Sequence, residues 1–236
     1  MGDTIGQIKA NNNIAVLLNN KENYTKAFDI LSEMLPCLDI EIDKEDDTKE
    51  KNDLRILKSD LLTNIGISLK RIAEYSKTDS VKMDNLDKAL RYINEAIDIS
   101  EMLENDVKII TNYGNASNVY KQMNQFEKCE KLLEKALERS IKSKNSKFIA
   151  LCKYNLAVLY SDIGKLDLAE KLCNEALSLK STLNDRLISD IYYTLAVIAK
   201  EQNSDNFESY CILAHSLYKK LNLDKSISKI NTLKLK

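Results

Sequence analysis

Two stretches of this sequence fall on one another when the first is moved by 40 residues. YGNASNVYKQMNQFEKCEKLLEKALERS, from Tyr113, lies over YNLAVLYSDIGKLDLAEKLCNEALSLK, from Tyr154. Asn115 then meets Asn155, Tyr120 meets Tyr160, Phe126 meets Leu166, Leu132 meets Leu172 and Ala136 meets Ala176. A further move of 39 brings Tyr154 onto Tyr193 and Leu156-Ala157-Val158 onto Leu195-Ala196-Val197. The pattern extends upstream. Ala96 stands 40 residues before Ala136, and an insertion of about 11 residues near Thr78 to Asn85 separates its stretch from the helix carrying Asn64 and Gly66. The earliest copy carries Ala15, Tyr24, Ala27 and Leu31 in the same order. A period of this length is the mark of stacked units, none of which buries its apolar face alone.

Each unit reads as two amphipathic helices. In the fourth, Leu151, Tyr154, Ala157 and Val158 recur at a helical period, and so do Leu168, Ala169, Leu172, Cys173 and Ala176 after Gly164. The small residues Ala157, Ala169 and Ala176 let the two helices approach closely. Composition agrees. Gly and Pro together make 6 of 236 residues, where average usage gives roughly 28. A β-sandwich or a Gly-rich nucleotide fold needs more turn residues than that. The expected class is therefore all-α. The repeats are expected at about 5–36, 54–104, 106–144, 146–183 and 185–221, in a single domain. A capping helix should follow at 223–234, and the acidic segment 41–53 is expected to be a solvated linker after Pro36.

With so few glycines, asparagine is expected to make the turns, because it tolerates the left-handed conformation best after glycine. Asn124, Gly164 and Asn203 fall between the two helices of a repeat. Asn105, Asn145 and Asn184 fall between repeats and are expected to close the preceding helix, with Ser146 capping the next.

The spacing of Ala157, Tyr160, Gly164, Ala169 and Ala176 resembles the tetratricopeptide (TPR) pattern. The usual first-helix Trp is absent, and the period is 39–40 rather than 34. The longer period resembles the subtype found in the Rap, Rgg and PlcR group of peptide-pheromone regulators and in kinesin light chains. The resemblance implies a right-handed superhelical solenoid whose first helices line a concave groove. It also implies an extended peptide or protein segment as ligand and no enzymatic activity. Repeat one starts within about ten residues of Met1, so an N-terminal effector domain is not expected.

One column of the repeat stands out. Asn13, Asn64, Asn115 and Asn155 occupy it, with Thr194 in the fifth repeat. Asn disfavours helix interiors because its side chain competes for backbone hydrogen bonds. A carboxamide offers donors and an acceptor, so it can grip a ligand's backbone whatever the ligand's side chains. The alternative is a polar ladder between helices. Around the column, Lys9, Lys70, Arg71 and Lys121 are candidate contacts for an acidic group, and Tyr154 and Tyr193 for apolar ones. A solvated face for the charges and a core position for the tyrosines are the competing readings. A carboxylate clamp for chaperone tails could use Asn13 and Asn64 with Lys9, but Thr111 and Asn115 stand where its basic pair belongs.

Other chemistry finds little support. The single histidine, His215, lies in an apolar helical stretch, and Cys37, Cys129, Cys152, Cys173 and Cys211 include no CxxC pair. This points to a reducing compartment, with no metal and no cofactor. Net charge is −1, which supplies no general field for nucleic acid. The stretch from Lys219 carries six lysines, its Leu221, Leu223, Ile227, Ile230 and Leu233 suit a capping helix with one apolar face, and direct nucleic-acid binding is not expected. The start is Met-Gly, but Gly6 breaks the myristoylation pattern. A cytoplasmic protein without a membrane segment is expected, and a homodimer is left open. The reading is a non-catalytic peptide- or protein-binding module, in the manner of the sensor part of a peptide-responsive regulator. The alternative is a scaffold that joins larger proteins through its convex face or ends.

Overall fold

The computed structural model describes residues 3–235. Met1, Gly2 and Lys236 lie outside them, and with them the Met-Gly start and the last lysine of the basic stretch. Among the described residues the chain forms eleven α-helices and one short 3-10 turn, with no strand. They are α1 (Thr4–Asn20), α2 (Tyr24–Lys44), α3 (Thr48–Glu74), α4 (Asp79–Met102), α5 (Asp106–Gln122), α6 (Phe126–Lys142), α7 (Ser146–Asp162), α8 (Leu166–Leu177), α9 (Asp185–Glu201), α10 (Phe207–Lys220) and α11 (Asp224–Leu235). The helices gather into two compact units, one through Leu132 and one from Leu133, with the boundary inside α6.

In the first unit α1, α2, α3, α4 and α5 each pack on the next, and the odd-numbered helices also touch directly, α1 on α3 and α3 on α5. The residues that permit this are small. Ala15 and Ala27 are fully buried, and Ser117 and Cys129 nearly so. At Gly66 a Cβ would come within 2.5 Å of Ile93 Cγ1 and 3.2 Å of the Ala89 carbonyl, so only glycine fits. Leu31, Leu38, Leu61, Ile65, Leu86 and Ile93 fill the core between these points. The insertion in repeat two makes no loop. It lengthens the pair, so that α3 and α4 run to 27 and 24 residues.

The acidic segment is likewise mostly helical, against expectation. Pro36 lies inside α2, which continues to Lys44 because Leu38 and Ile42 are buried beyond it. Only residues 45–47 are non-helical before Asp47 caps α3 by accepting from the Glu50 N–H at 2.9 Å. Burial of an apolar stripe outweighs one hydrogen bond lost to proline.

In the second unit α7 packs on α8, α8 on α9, α9 on α10 and α10 on α11, while α7 also meets α9. Ala150, Ala157, Ala169, Cys173, Ala176, Ile191 and Ile198 are fully buried in one cluster. A second cluster joins Ala196, Cys211, Ala214, Tyr218 and Ile230.

Seven of the ten helix connections use one device. Glu22, Glu104, Asn124, Lys144, Gly164, Asn203 and Asn222 all have positive φ. In each case the next N–H reaches back five residues, as Gln125 N–H does to the Tyr120 carbonyl at 2.9 Å and Lys165 N–H to Tyr160 at 2.8 Å. Asn124, Gly164 and Asn203 stand where the sequence placed them. The between-repeat asparagines do not. The left-handed position falls one residue earlier, on Glu104 and Lys144. Asn105, Asn145 and Asn184 instead cap the following helix, accepting from the N–H groups of Lys108, Phe148 and Leu187. Ser146 is the first residue of α7 and not its cap. The reason is division of labour: Asn105 N–H closes α4 on the Ser100 carbonyl while its side chain opens α5. The α10–α11 connection has the same form, with Asn222 left-handed and Leu223 N–H bonded to the Tyr218 carbonyl at 3.0 Å.

Candidate functional site

The first helices carry the asparagine column in their middles, where the backbone is satisfied by the helix and the carboxamides must find other partners. Asn115 on α5 and Asn155 on α7 are half-buried, and Asn13 on α1 is exposed. Among the described residues these three carboxamides make no side-chain hydrogen bond. Asn64 differs. Its Nδ2 donates to Asn12 Oδ1 at 2.8 Å, so it is part of a ladder between α1 and α3. Thr194 is buried and its hydroxyl donates to the Asp190 carbonyl of its own helix at 3.1 Å.

That ladder is larger than the column suggested. Ser68 donates to Asn19 Oδ1 at 3.0 Å, and Thr63 donates to Asn112 Oδ1 at 2.8 Å. Ser59 and Ser100 share a hydrogen bond of 3.0 Å, and both reach the Ala96 carbonyl. Asn112 is 1% exposed. The sequence carried one trace of this, the doublet Thr63-Asn64 recurring as Thr111-Asn112.

Lys70 is partly buried on α3, and its amine is pushed down to about 8, first by desolvation and then by the positive charges of Arg71 and Lys121. Arg71 is exposed and pairs with Glu74 at 2.8 Å, which holds its guanidinium in the charged form against the effect of burial. The other Glu74 oxygen accepts from Gln122 Nε2 at 2.6 Å. Lys121 is half-buried on α5, and Lys9 is exposed one turn before Asn13.

The two tyrosines are drawn into packing within the second unit. Tyr154 lies against the cluster of Ala157, Cys173 and Ile191, and its phenol is pushed up by burial, with Asp190 adding to the shift. Tyr193 packs on the Ala196 cluster and lines an open cavity of about 300 Å³ with Lys225, Ser228, Lys229, Thr232 and Leu233 of α11. Asp190 on α9 accepts from the Tyr218 hydroxyl at 2.6 Å and from Arg186 Nε at 3.0 Å. A second cavity, of about 400 Å³, lies at the end of the first unit. There Tyr24 and Tyr75 stack at 5.9 Å beside Asn23, Thr25, Ile72 and Ser76. Among the described residues no group of His, Cys, Asp and Glu could hold a metal ion, and no helix is long and apolar enough to cross a membrane.

These helix pairs, with small residues at their seams and one turn type at most of their junctions, define a class. A tetratricopeptide-repeat family model matches residues 110–140 and 150–182. No curated protein sequence matches the chain. Among solved structures, the Rap conjugation gene regulator of plasmid pLS20, in complex with the Phr* peptide, is similar with a TM-score of 0.77 and 15% identity, over 98% of this chain and 58% of that one. A Rap protein complexed with competence and sporulation factor matches with a TM-score of 0.70 and 15% identity, over 92% of this chain and 55% of that one. BtubC from P. vanneervenii matches with a TM-score of 0.62 and 19% identity, over 93% and 81%. The chain spans somewhat more than half the length of the two Rap structures. Two of its repeats thus match the tetratricopeptide-repeat model, and its fold resembles that of the Rap-type regulators.

Proposed function

We propose that this chain is a non-catalytic binding module that holds an extended peptide or protein segment against the first helices of its repeats. The observation that carries this reading is the set of unpaired carboxamides. Asn13, Asn115 and Asn155 recur at one repeat position, in mid-helix, with no hydrogen-bond partner among the described residues. Half-buried amides are normally paired, and a ligand backbone would supply both an acceptor and a donor to each. Asn64, bonded to Asn12 through its Nδ2, keeps its Oδ1 for an incoming N–H. The solved Rap complexes with a Phr* peptide and with competence and sporulation factor support a peptide as the ligand class. By the same likeness, the module is the sensor part of a peptide-responsive regulator acting in the cytoplasm. Lys9, Lys70, Arg71 and Lys121 would select for acidic groups. Tyr154 and Tyr193 act through packing more than through contact.

The test is capture of peptides from a random hexapeptide mixture, read by native mass spectrometry. The double variant N115A/N155A should capture at least tenfold less, because two charge-neutral hydrogen-bonding groups are lost. Its melting temperature should stay within about 2 °C of the parent, since neither amide has an internal partner to lose. Undiminished capture, or a variant that unfolds, refutes the reading and leaves the scaffold alternative.

A further inference from the structure

We infer that the outward face of α1 pairs with α1 of a second copy of this chain, in an antiparallel dimer centred on Ile14 and Leu17.

The repeat itself shows that this face is made for a partner. Three columns, lying three before, one after and four after the asparagine column, are buried on every later first helix. They hold Leu61, Ile65 and Ser68 on α3, and Asn112, Ala116 and Val119 on α5. On α7 they hold Cys152, Leu156 and Leu159, and on α9 Ile191, Leu195 and Ile198. α3, α5 and α9 each pack on the second helix before them, α2, α4 and α8. On α1 the same columns hold Ala10, Ile14 and Leu17, and all three are exposed, Ile14 at 45% and Leu17 at 59%. Among the described residues, Ile14 and Leu17 are the one pair of exposed large apolar side chains three or four residues apart on a helix. From Ala10 to Asn20 no residue is charged. A helix that ends a repeat stack in water needs a polar outer face. α11 has one, exposing Lys225, Ser228, Lys229, Asn231 and Thr232, with Leu235 at its tip. α1 does not.

Spacing and charge decide the occupant. Gln7, Ala10, Ile14, Leu17 and Lys21 step by three and four residues along one line, the seam along which two like helices pair. That line lies roughly 80° round the helix from Asn13, so pairing leaves the asparagine column open. A parallel pair would set Lys21 on Lys21. An antiparallel pair sets Ile14 against Leu17 of the second copy, and Leu17 against its Ile14. Lys21 then lies over the small Ala10, with its stem on the seam and its amine in water, and the two helix dipoles oppose one another. The polar outer face of α11 offers no seat for α1, so the contact closes as a two-fold dimer and does not propagate. One helix face is smaller than the roughly 800 Å² per partner of a tight complex. The dimer is therefore weak, with a Kd on the order of 10–100 µM.

Sedimentation velocity of the full chain, from about 1 to about 500 µM, should show a reversible monomer–dimer transition in that range. Leu17→Glu and Ile14→Gln should each weaken it at least tenfold. Their melting temperatures, taken where all chains are monomeric, should stay within about 2 °C of the parent, because both side chains are exposed in the monomer. Oxidative trapping reads the register. Ala10→Cys and Lys21→Cys, mixed in equal amounts, should give a covalent dimer. Each alone should not, since like positions stand roughly 16 Å apart along the axis. The parent, whose Cys37 is half-buried, serves as the blank. A chain that stays monomeric throughout overturns the inference and leaves the α1 face to a helix of a different protein. A dimer equally strong in Leu17→Glu and Ile14→Gln lies on another surface and overturns it too. Trapping of either cysteine variant with itself, or none in the mixture, overturns the antiparallel pairing.

Discussion

The two units solve the same packing problem with different chemistry. In the first, the seam between first helices is polar: Asn12 meets Asn64, Asn19 meets Ser68, and Thr63 meets Asn112. In the second, the helix seams are made mostly of alanines, aliphatics and the thiol of Cys173, and the polar ties between helices, such as Lys153 to Glu175, Gln202 to Asp167 and Tyr218 to Asp190, involve charged or ionisable side chains rather than a ladder of amides and hydroxyls. A hydrogen-bonded seam is satisfied in one register only, because a slipped amide is left buried and unpaired. A seam of small apolar residues fixes how close the helices come and says less about their register. The difference also decides which column residues remain available. The ladder draws Asn64 into the first unit's frame, whereas nothing in the second unit engages Asn155.

Substitutions can break this contrast. The largest loss is expected from Gly66→Val, whose added methyls meet Ile93 and the Ala89 carbonyl. It should destabilise by about 3 kcal/mol, seen in urea unfolding as a lowered midpoint with unchanged slope. Asn112→Ala comes next. It removes the buried carboxamide that accepts from Thr63 and donates to Ser100, and should lose about 2 kcal/mol. In the second unit Tyr218→Phe removes one hydrogen bond to a carboxylate that keeps Arg186, for a loss of about 1.5 kcal/mol. If Asn112→Ala proves milder than Tyr218→Phe, the buried ladder is not the stronger device and the contrast fails.

How far these features could be read in advance follows the same division. Periodic signals were legible: the helix pairs, the small residues at their seams and the left-handed turns at Asn124, Gly164 and Asn203 all repeat at 39–40 residues. Signals that run against local propensity or composition were not. Glu104 and Lys144 occupy left-handed positions that no propensity favours, because the asparagine after each is committed to capping. The acidic stretch after Pro36 is polar by composition, yet Leu38 and Ile42 keep it helical. At the site, the column position of the asparagines was legible, but its division into bonded Asn64 and unbonded Asn115 depends on which helix lies opposite. The isolation of Lys70 could not be seen either, since it depends on Glu74 being occupied by Arg71 and Gln122.

The smallest predicted effect concerns the Lys70 amine, which shifts opposite to the buried thiols and phenols of the second unit. Folding lowers the Lys70 amine from 10.5 to about 8. Between those values the unfolded chain holds a proton that the folded one has released, so stability rises with pH across the window. Below pH 8 both forms are protonated and the burial penalty is fully present. Lys70→Met removes the penalty and should stabilise the protein by about 1 kcal/mol at pH 7. That gain should shrink toward zero by pH 10.5. The buried thiols and phenols of the second unit run the other way. Burial raises the thiols of Cys152, Cys173 and Cys211 from 9.0, that of Cys173 to about 12, and raises the phenols of Tyr154 and Tyr218 from 10.0. There the unfolded chain loses protons first, and stability falls as pH climbs past 9 and then 10. Urea unfolding of the parent, Lys70→Met and Cys173→Ala at pH 7, 9 and 10 resolves the two slopes. The stabilisation by Lys70→Met should decline with pH, and the destabilisation by Cys173→Ala should decline with it, as the buried thiol grows less favourable relative to the ionised one in the unfolded chain. A pH-independent difference between Lys70→Met and the parent would place the Lys70 amine in solvent, without the desolvation that sets this helix face apart.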